Sequence, residues 1–206
     1  MNNVADEQAL TPAAGRIVQL ALQHFANRGY DAASLNDIAV SAGIRKASLY
    51  AHFTGKDELY TAVLDLALQS ERGYVDAQFS AGSTGQGPGA LYIANLQGRY
   101  AESHALRFLL RAAFYPPAPI EQRVKSGFGH YLEDIRRRFQ AALELAYPAI
   151  DSAHAGLLAE AYLALLDSLH VELIYGNDEA YSRRLDALGQ LINLIGLPLL
   201  TGTASR

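Results

Sequence analysis

The chain has 206 residues, half of them hydrophobic, with 17 basic against 21 acidic side chains and a formal net charge of −4. The lack of any cysteine excludes disulfides, thiolate metal sites and cysteine nucleophiles. Taken as one average, an acidic chain is not a basic nucleic-acid binder, although an average can conceal a charged face.

The length suits one large domain or two small ones. Met1 to Leu10 carries Asp6 and Glu7 and no apolar signal-peptide core. The apolar stretch 185–200 is short and broken by Gly196 and Pro198, so no membrane span is expected. A cytoplasmic chain without membrane contact is the expectation. Alternating β-branched runs are absent, Ala and Leu dominate, and an all-α fold follows.

Thr11-Pro12 pairs a capping residue with proline at the first helical position. Ile17, Leu20, Ala21 and Phe25 then recur at helical spacing until Gly29. Ser34, with Asp37 three residues on, predicts a capping box opening a second helix. Ala42-Gly43-Ile44 ends it, and a short third helix is expected over Arg45 to His52. Thr54 with Asp57 repeats the box ahead of a longer fourth helix through Leu59, Val63, Leu66 and Ser70.

From Phe79 to Gly89 the composition turns to Ser, Gly, Thr and Pro, which predicts a loop. Further helices are expected over about Ala90 to Glu102, Leu106 to Phe114 and Glu121 to Tyr147, with Pro116, Pro117 and Pro119 breaking the path before the third. Asp151 and Asp178 are candidate caps for two last helices, ending near Tyr175 and near Gly196-Leu197-Pro198.

The first 60 residues are the informative part. The second and third helices are joined by a turn of three to four residues containing Gly43, which is the helix-turn-helix pattern. Such a third helix must be rigidly held while it presents side chains to a major groove. Leu49 and Phe53, four apart, can anchor it. Arg45, Lys46, Ser48, Tyr50 and His52 are left to face outward. The stretch from Ile38 to Lys56 holds three cations and no acid, whereas Asp57 to the end holds 12 basic and 17 acidic residues, a balance of −5. The net charge therefore averages a small basic head and a larger acidic body.

Phe25, Gly29-Tyr30, Ser34-Leu35-Asn36-Asp37-Ile38-Ala39, Ala42-Gly43-Ile44-Arg45-Lys46-Ala47-Ser48-Leu49-Tyr50-Ala51-His52-Phe53 and Lys56-Asp57-Glu58-Leu59 match, in register, the N-terminal DNA-binding domain of the TetR family of transcriptional regulators. The resemblance covers about Arg16 to Val63. It implies that Ser34 caps the second helix and touches phosphate. Arg45, Ala47 and Ser48 would face bases or the nearby backbone, and Lys46, Tyr50 and His52 would contact the DNA. Lys56 would meet phosphate at the start of the fourth helix. Ala51 stands where many members carry an aromatic or His. Arg45 stands where a small residue is frequent, which shifts the expected base preference toward guanine.

The implied architecture is a three-helix helix-turn-helix DNA-binding domain (residues 1–56). A fourth helix joins it to a helical ligand-binding and dimerisation domain (residues 57–206). The partners expected are a double-stranded DNA operator, a small-molecule effector and a second copy of the chain; no cofactor and no metal is expected. Candidate effector contacts are His104, Arg107, Phe108, Arg111, Phe114, Tyr115, His130, Tyr131, Tyr162 and His170. Broad apolar stripes on the last two helices give candidate dimer contacts at Leu158, Tyr162, Leu165, Leu169, Leu185, Leu188, Ile192 and Ile195. No phosphate loop, His-Glu-x-x-His or Gly-x-Ser-x-Gly motif is present. The reading is a ligand-released homodimeric repressor of a palindromic operator, and not an enzyme. An activator, or a helical carrier or enzyme with an incidental helix-turn-helix, is the alternative.

Overall fold

A computed structural model describes residues 10–80 and 87–200 of the chain, with side chains as far as Gln190. The described residues form helices only. α1 spans Pro12–Ala32, α2 Leu35–Ser41, α3 Lys46–Tyr50 and α4 Lys56–Ser80. α5 (Ala90–Ala94), α6 (Leu96–Glu102) and α7 (His104–Phe114) follow. A 3-10 turn at Ala118–Ile120 then leads into α8 (Glu121–Ala146), α9 (Ser152–Tyr175) and α10 (Asp178–Leu200). None of these helices is long and apolar enough to cross a membrane.

The local chemistry explains most boundaries and corrects several expectations. The Thr11 hydroxyl accepts from Ala14 N at 3.3 Å and Pro12 opens α1 as expected. Ser34 caps α2 by accepting from Asn36 N at 3.1 Å. Asp37 does not complete a capping box. It takes an ion pair from Arg28 at 2.8 Å instead. At the start of α4 the reciprocal group is Glu58, not Asp57: its carboxylate accepts from both the Thr54 amide and hydroxyl at 2.6 Å. Those bonds hold the Glu58 carboxyl below the usual carboxylate range. Asp57 accepts from the Tyr30 phenol. Asp151 caps α9 through His154 N at 3.0 Å. α10 is capped by Asn177, which accepts from Ala180 N at 2.9 Å, rather than by Asp178. The backbone of α10 also runs past Pro198 to Leu200. The expected 90–102 helix is two pieces that turn at Asn95.

α4 is the spine. At 25 residues it is about 37 Å long. It runs ten residues beyond Ser70 to Ser80, so the expected loop begins later than Phe79; residues 81–86 lie outside the described ones. Its buried face carries Leu59, Tyr60 and Val63 toward the head, then Leu64, Ala67, Leu68, Glu71 and Val75 toward the body. The two parts share one apolar core, because α7 packs against both α1 and α4. Phe25, Tyr60 and Phe108 meet there, with ring centroids 4.8 Å apart for Phe25–Tyr60 and Tyr60–Phe108.

Candidate nucleic-acid interface

The helix-turn-helix is built by burial on one side only. Ile38 and Ala39 of α2 and Leu49 and Phe53 around α3 are buried and anchor the unit to α1. The turn closes through Gly43 N to Val40 O and Ile44 N to Ala39 O, each 3.0 Å. Gly43 sits at φ 67°, the left-handed region where a Cβ is strained. With Leu49 pointing in, the rest of α3 points out. Arg45, Lys46, Ala47, Ser48, Tyr50 and His52 are all exposed. Arg45 is the residue before the first turn of α3 and its side chain makes no capping bond. The Lys46 ammonium lies 5.9 Å from the Tyr50 ring centroid, a weak cation–π contact that keeps two outward side chains together. The face therefore offers two cations, a serine hydroxyl, a phenol and an imidazole, with the apolar side of the helix fully engaged.

Two of the expected contacts are placed differently from the rest. Ser34 is half-buried and its hydroxyl already serves the α2 cap. Lys56 is also half-buried. Its ammonium donates to the Asp31 carbonyl at 3.2 Å and lies 4.5 Å from the centroid of the Tyr30 ring. In the free chain this lysine ties the end of α1 to the start of α4. Burial first, and the Asp57 carboxylate second, push the Tyr30 phenol up to about 12, so it remains a hydrogen-bond donor.

The ten expected effector contacts do not converge on one site. Phe108 has no exposed surface and belongs to the head–body core. Tyr131 is buried with its hydroxyl 2.8 Å from that of Tyr92. Tyr162 is buried, stacks on Phe139 with centroids 4.0 Å apart, and donates to the Gly89 carbonyl at 3.0 Å. Arg107 binds the Ala101 carbonyl at 2.5 Å at the end of α6. His104 is half-buried at the start of α7, and burial with the nearby Arg107 pulls its pKa below the ordinary histidine value. His130 is exposed on a groove between α4 and α8. His170 is fully buried, and neither ring nitrogen has a hydrogen-bond partner. Arg111, Phe114 and Tyr115 do come together, in a cleft between α7 and the end of α1.

A buried ion pair was not anticipated. Glu71 on α4 is paired with Arg99 on α6 and accepts from the Ser103 hydroxyl at 3.3 Å. Arg99 also covers the Tyr74 ring at 3.4 Å. Burial pushes the Glu71 carboxyl up, and Arg99 opposes that rise. The signal was present in the sequence, since Glu71 continues the helical spacing of Leu64, Ala67, Leu68 and Val75.

The fold and this exposed face define an all-helical protein with an N-terminal helix-turn-helix head, joined by α4 to a helical body. Residues 17–63 match the family described as bacterial regulatory proteins, tetR family. The chain is similar to the HTH-type transcriptional activator FasR of Mycolicibacterium smegmatis, with 48% identity over 50 residues, 24% of this chain and 23% of that one. It is 44% identical over 45 residues (22% of this chain, 24% of the other) to the biofilm operon icaADBC HTH-type negative transcriptional regulator IcaR of Staphylococcus epidermidis. The chain thus spans only about a quarter of the length of these curated relatives. Over 89% of this chain and 96% of the other, its fold resembles a putative TetR-family transcriptional regulator of Mesorhizobium loti, with TM-score 0.66 and 22% identity. Over 86% and 96% it resembles the transcriptional regulator FadR of Bacillus subtilis in complex with stearoyl-CoA, with TM-score 0.61 and 14% identity. At these identities the likeness is one of fold.

Proposed function

We propose that this protein is a ligand-responsive transcriptional regulator, a homodimeric repressor that binds a palindromic DNA operator in the cytoplasm and is released by a small-molecule effector. The observation that carries the reading is α3. The five-residue helix and its flanking residues bury Leu49 and leave Arg45, Lys46, Ala47, Ser48, Tyr50 and His52 exposed. Major-groove reading needs that division of labour between anchor and reading face. Arg45, on this reading, contacts a guanine edge, and Lys46, Tyr50 and His52 contact phosphate or sugar. Ser34 and Lys56 meet phosphate with the bonding capacity their internal contacts leave free.

Dimerisation is supported by a partly exposed stripe on α9, within which Ser168 accepts from Arg184 and Tyr175 packs on Phe114 and Tyr115. Leu157, Ala161, Ala164, Ser168, Val171 and Tyr175 follow one another at spacings of four and three; Leu157 is 67% exposed and Tyr175 54% exposed. Of the contacts expected from sequence, Leu158, Leu165 and Leu185 are partly buried and border this region. Tyr162, Leu169 and Leu188 are buried inside the single chain, so they support the face from beneath. The side chains of Ile192 and Ile195 lie outside the described ones. The curated relatives are named with both signs, an activator and a negative regulator. Repression is tested by reporter expression with and without the protein.

The direct test is fluorescence anisotropy on the DNA flanking the protein's own gene. Salt-dependent binding is expected, because phosphate contacts release counterions. Arg45→Ala should weaken specific binding by about 1–3 kcal/mol and relax the preference at one base pair. An Arg45→Ala protein with unchanged affinity and unchanged preference would remove Arg45 from the reading face. A Leu157→Glu protein that remains dimeric in sedimentation would do the same for the α9 stripe.

A further inference from the structure

The cleft between the head and the body is a site in its own right. Its floor is Gly29, the residue at which α1 kinks. Gly29 holds φ 77°, and a Cβ placed there would lie 3.1 Å from Arg111 Nη1, so the guanidinium rests directly over the kink. Tyr60 forms the back wall from α4, and Phe114, Tyr115 and Pro117 form an apolar wall from the body. The space measures about 840 Å³, within the range of small-molecule pockets. Tyr115 is 63% exposed, a large apolar surface left uncovered at the mouth.

The charges single out one group. Three ionisable side chains other than tyrosines line the cleft: Arg28, Asp31 and Arg111. Arg28 is spent on Asp37 at 2.8 Å. Asp31 stands at the rim, where the Lys56 ammonium lies against its backbone carbonyl. Among the described residues, no carboxylate pairs with Arg111, and neither the Arg111 guanidinium nor the Tyr60 hydroxyl has a hydrogen-bond partner. Burial pushes the Tyr60 phenol well up, so it stays a donor, and the Arg111 guanidinium pulls the other way; both residues line the same cleft. An unpaired cation and an unpaired phenol beside an aromatic and proline wall match a planar or aliphatic body carrying one anionic group.

We infer that this cleft binds a small amphipathic anion, its charged group on Arg111 and Tyr60 and its apolar part on Phe114, Tyr115 and Pro117. The walls come from both parts of the protein. Arg28 to Ala32 come from the head and Arg111 to Pro119 from the body, with Tyr60 on α4 between them. An occupant that contacts both favours one angle between them and disfavours others. This regulatory step rests on the reading of the protein as an effector-controlled DNA binder; the binding step does not.

The full-length protein is titrated with the fluorescent anion 8-anilino-1-naphthalenesulfonate and, in parallel, with its uncharged counterpart N-phenyl-1-naphthylamine. Saturable binding with a preference for the anion is expected. Arg111→Gln should weaken the anion by about tenfold or more while leaving the uncharged dye nearly unchanged, since the loss is that of a charge-assisted hydrogen bond. Arg111→Lys should retain most of the preference, and Tyr115→Ala should weaken both dyes. Arg111 is exposed, so these variants should keep the wild-type melting temperature. Equal binding of the two dyes, or an anion affinity indifferent to Arg111→Gln, would overturn the site and leave Arg111 as a buttress for α1. The same dye is then added to the anisotropy assay. If it binds through Arg111 yet leaves DNA affinity unchanged, the regulatory step is wrong. If the protein does not bind DNA at all, the function proposed above fails while the two-dye comparison still decides the cleft.

Discussion

Phe108→Ala tests whether head and body are held as one folded unit. The ring has no exposed surface and lies 4.8 Å from the Tyr60 ring and 6.5 Å from the Phe25 ring. One partner comes from α1, one from α4, and Phe108 itself from α7, so truncation opens a void where all three helices meet. A buried Phe→Ala change costs about 3–5 kcal/mol, including aromatic contacts of about 0.5–1.5 kcal/mol per pair. A total stability of about 5–15 kcal/mol leaves such a variant folded but marginal. With a urea dependence of about 2 kcal/mol per molar, a 4 kcal/mol loss lowers the unfolding midpoint by about 2 M. The assay is urea unfolding followed by far-ultraviolet circular dichroism. It is run at one fixed protein concentration, because the apparent stability of a self-associating chain depends on it. Phe108→Leu, which keeps most of the volume and loses the ring contacts, should fall by only about 1–1.5 kcal/mol. A midpoint shift below about 0.5 M for Phe108→Ala would refute the reasoning, since it would mean that the ring is not packed between the two parts.

Other consequences follow from single features. Gly43→Ala has open space around the new methyl but a φ of 67°; it should cost about 1–2 kcal/mol through backbone strain alone, measured by the same unfolding assay. Arg99→Met strands the buried Glu71 carboxylate and should cost about 3–5 kcal/mol, whereas the double variant Glu71→Leu/Arg99→Met should recover most of that loss. A double variant as unstable as the single one would show that the pair does more than satisfy itself. Glu58 is held below the usual carboxylate range in the folded head. Its contribution is therefore present above the ordinary carboxylate value and is lost as the pH falls through the lowered one. Glu58→Gln should accordingly lose less stability than the wild type on acidification, and an identical acid profile would rule out the tie between Glu58 and Thr54.

The sequence by itself determined the helix-turn-helix. Leu49 and Phe53 are four apart on a short helix, and Gly43 stands in the turn; local spacing of this kind fixes which side chains are anchors and which are free. It also determined the helical class and several boundaries, because caps such as Thr11, Ser34 and Asp151 act within three residues of themselves. It chose wrongly between neighbouring polar residues at Thr54, where Glu58 and not Asp57 turns back, and at α10, where Asn177 and not Asp178 takes the cap. Both alternatives satisfy the same short-range rule, and only competition from Tyr30 for Asp57 and from Gln97 for Asp178 separates them.

The tertiary structure decided what the body does with its aromatic and basic residues. His104, Arg107, Tyr131, Tyr162 and His170 all look alike in a sequence, as polar or aromatic groups on apolar faces. Their fates diverge with long-range partners: Tyr131 meets Tyr92, Tyr162 meets Phe139 and Gly89, and Arg107 closes the end of α6. The cleft at Arg111 depends on an α1 kink more than 80 residues earlier in the chain coming to rest beneath α7. Helical periodicity reports which side of one helix is apolar; which helix covers it, and which charge is left without a partner, is set only when the helices pack.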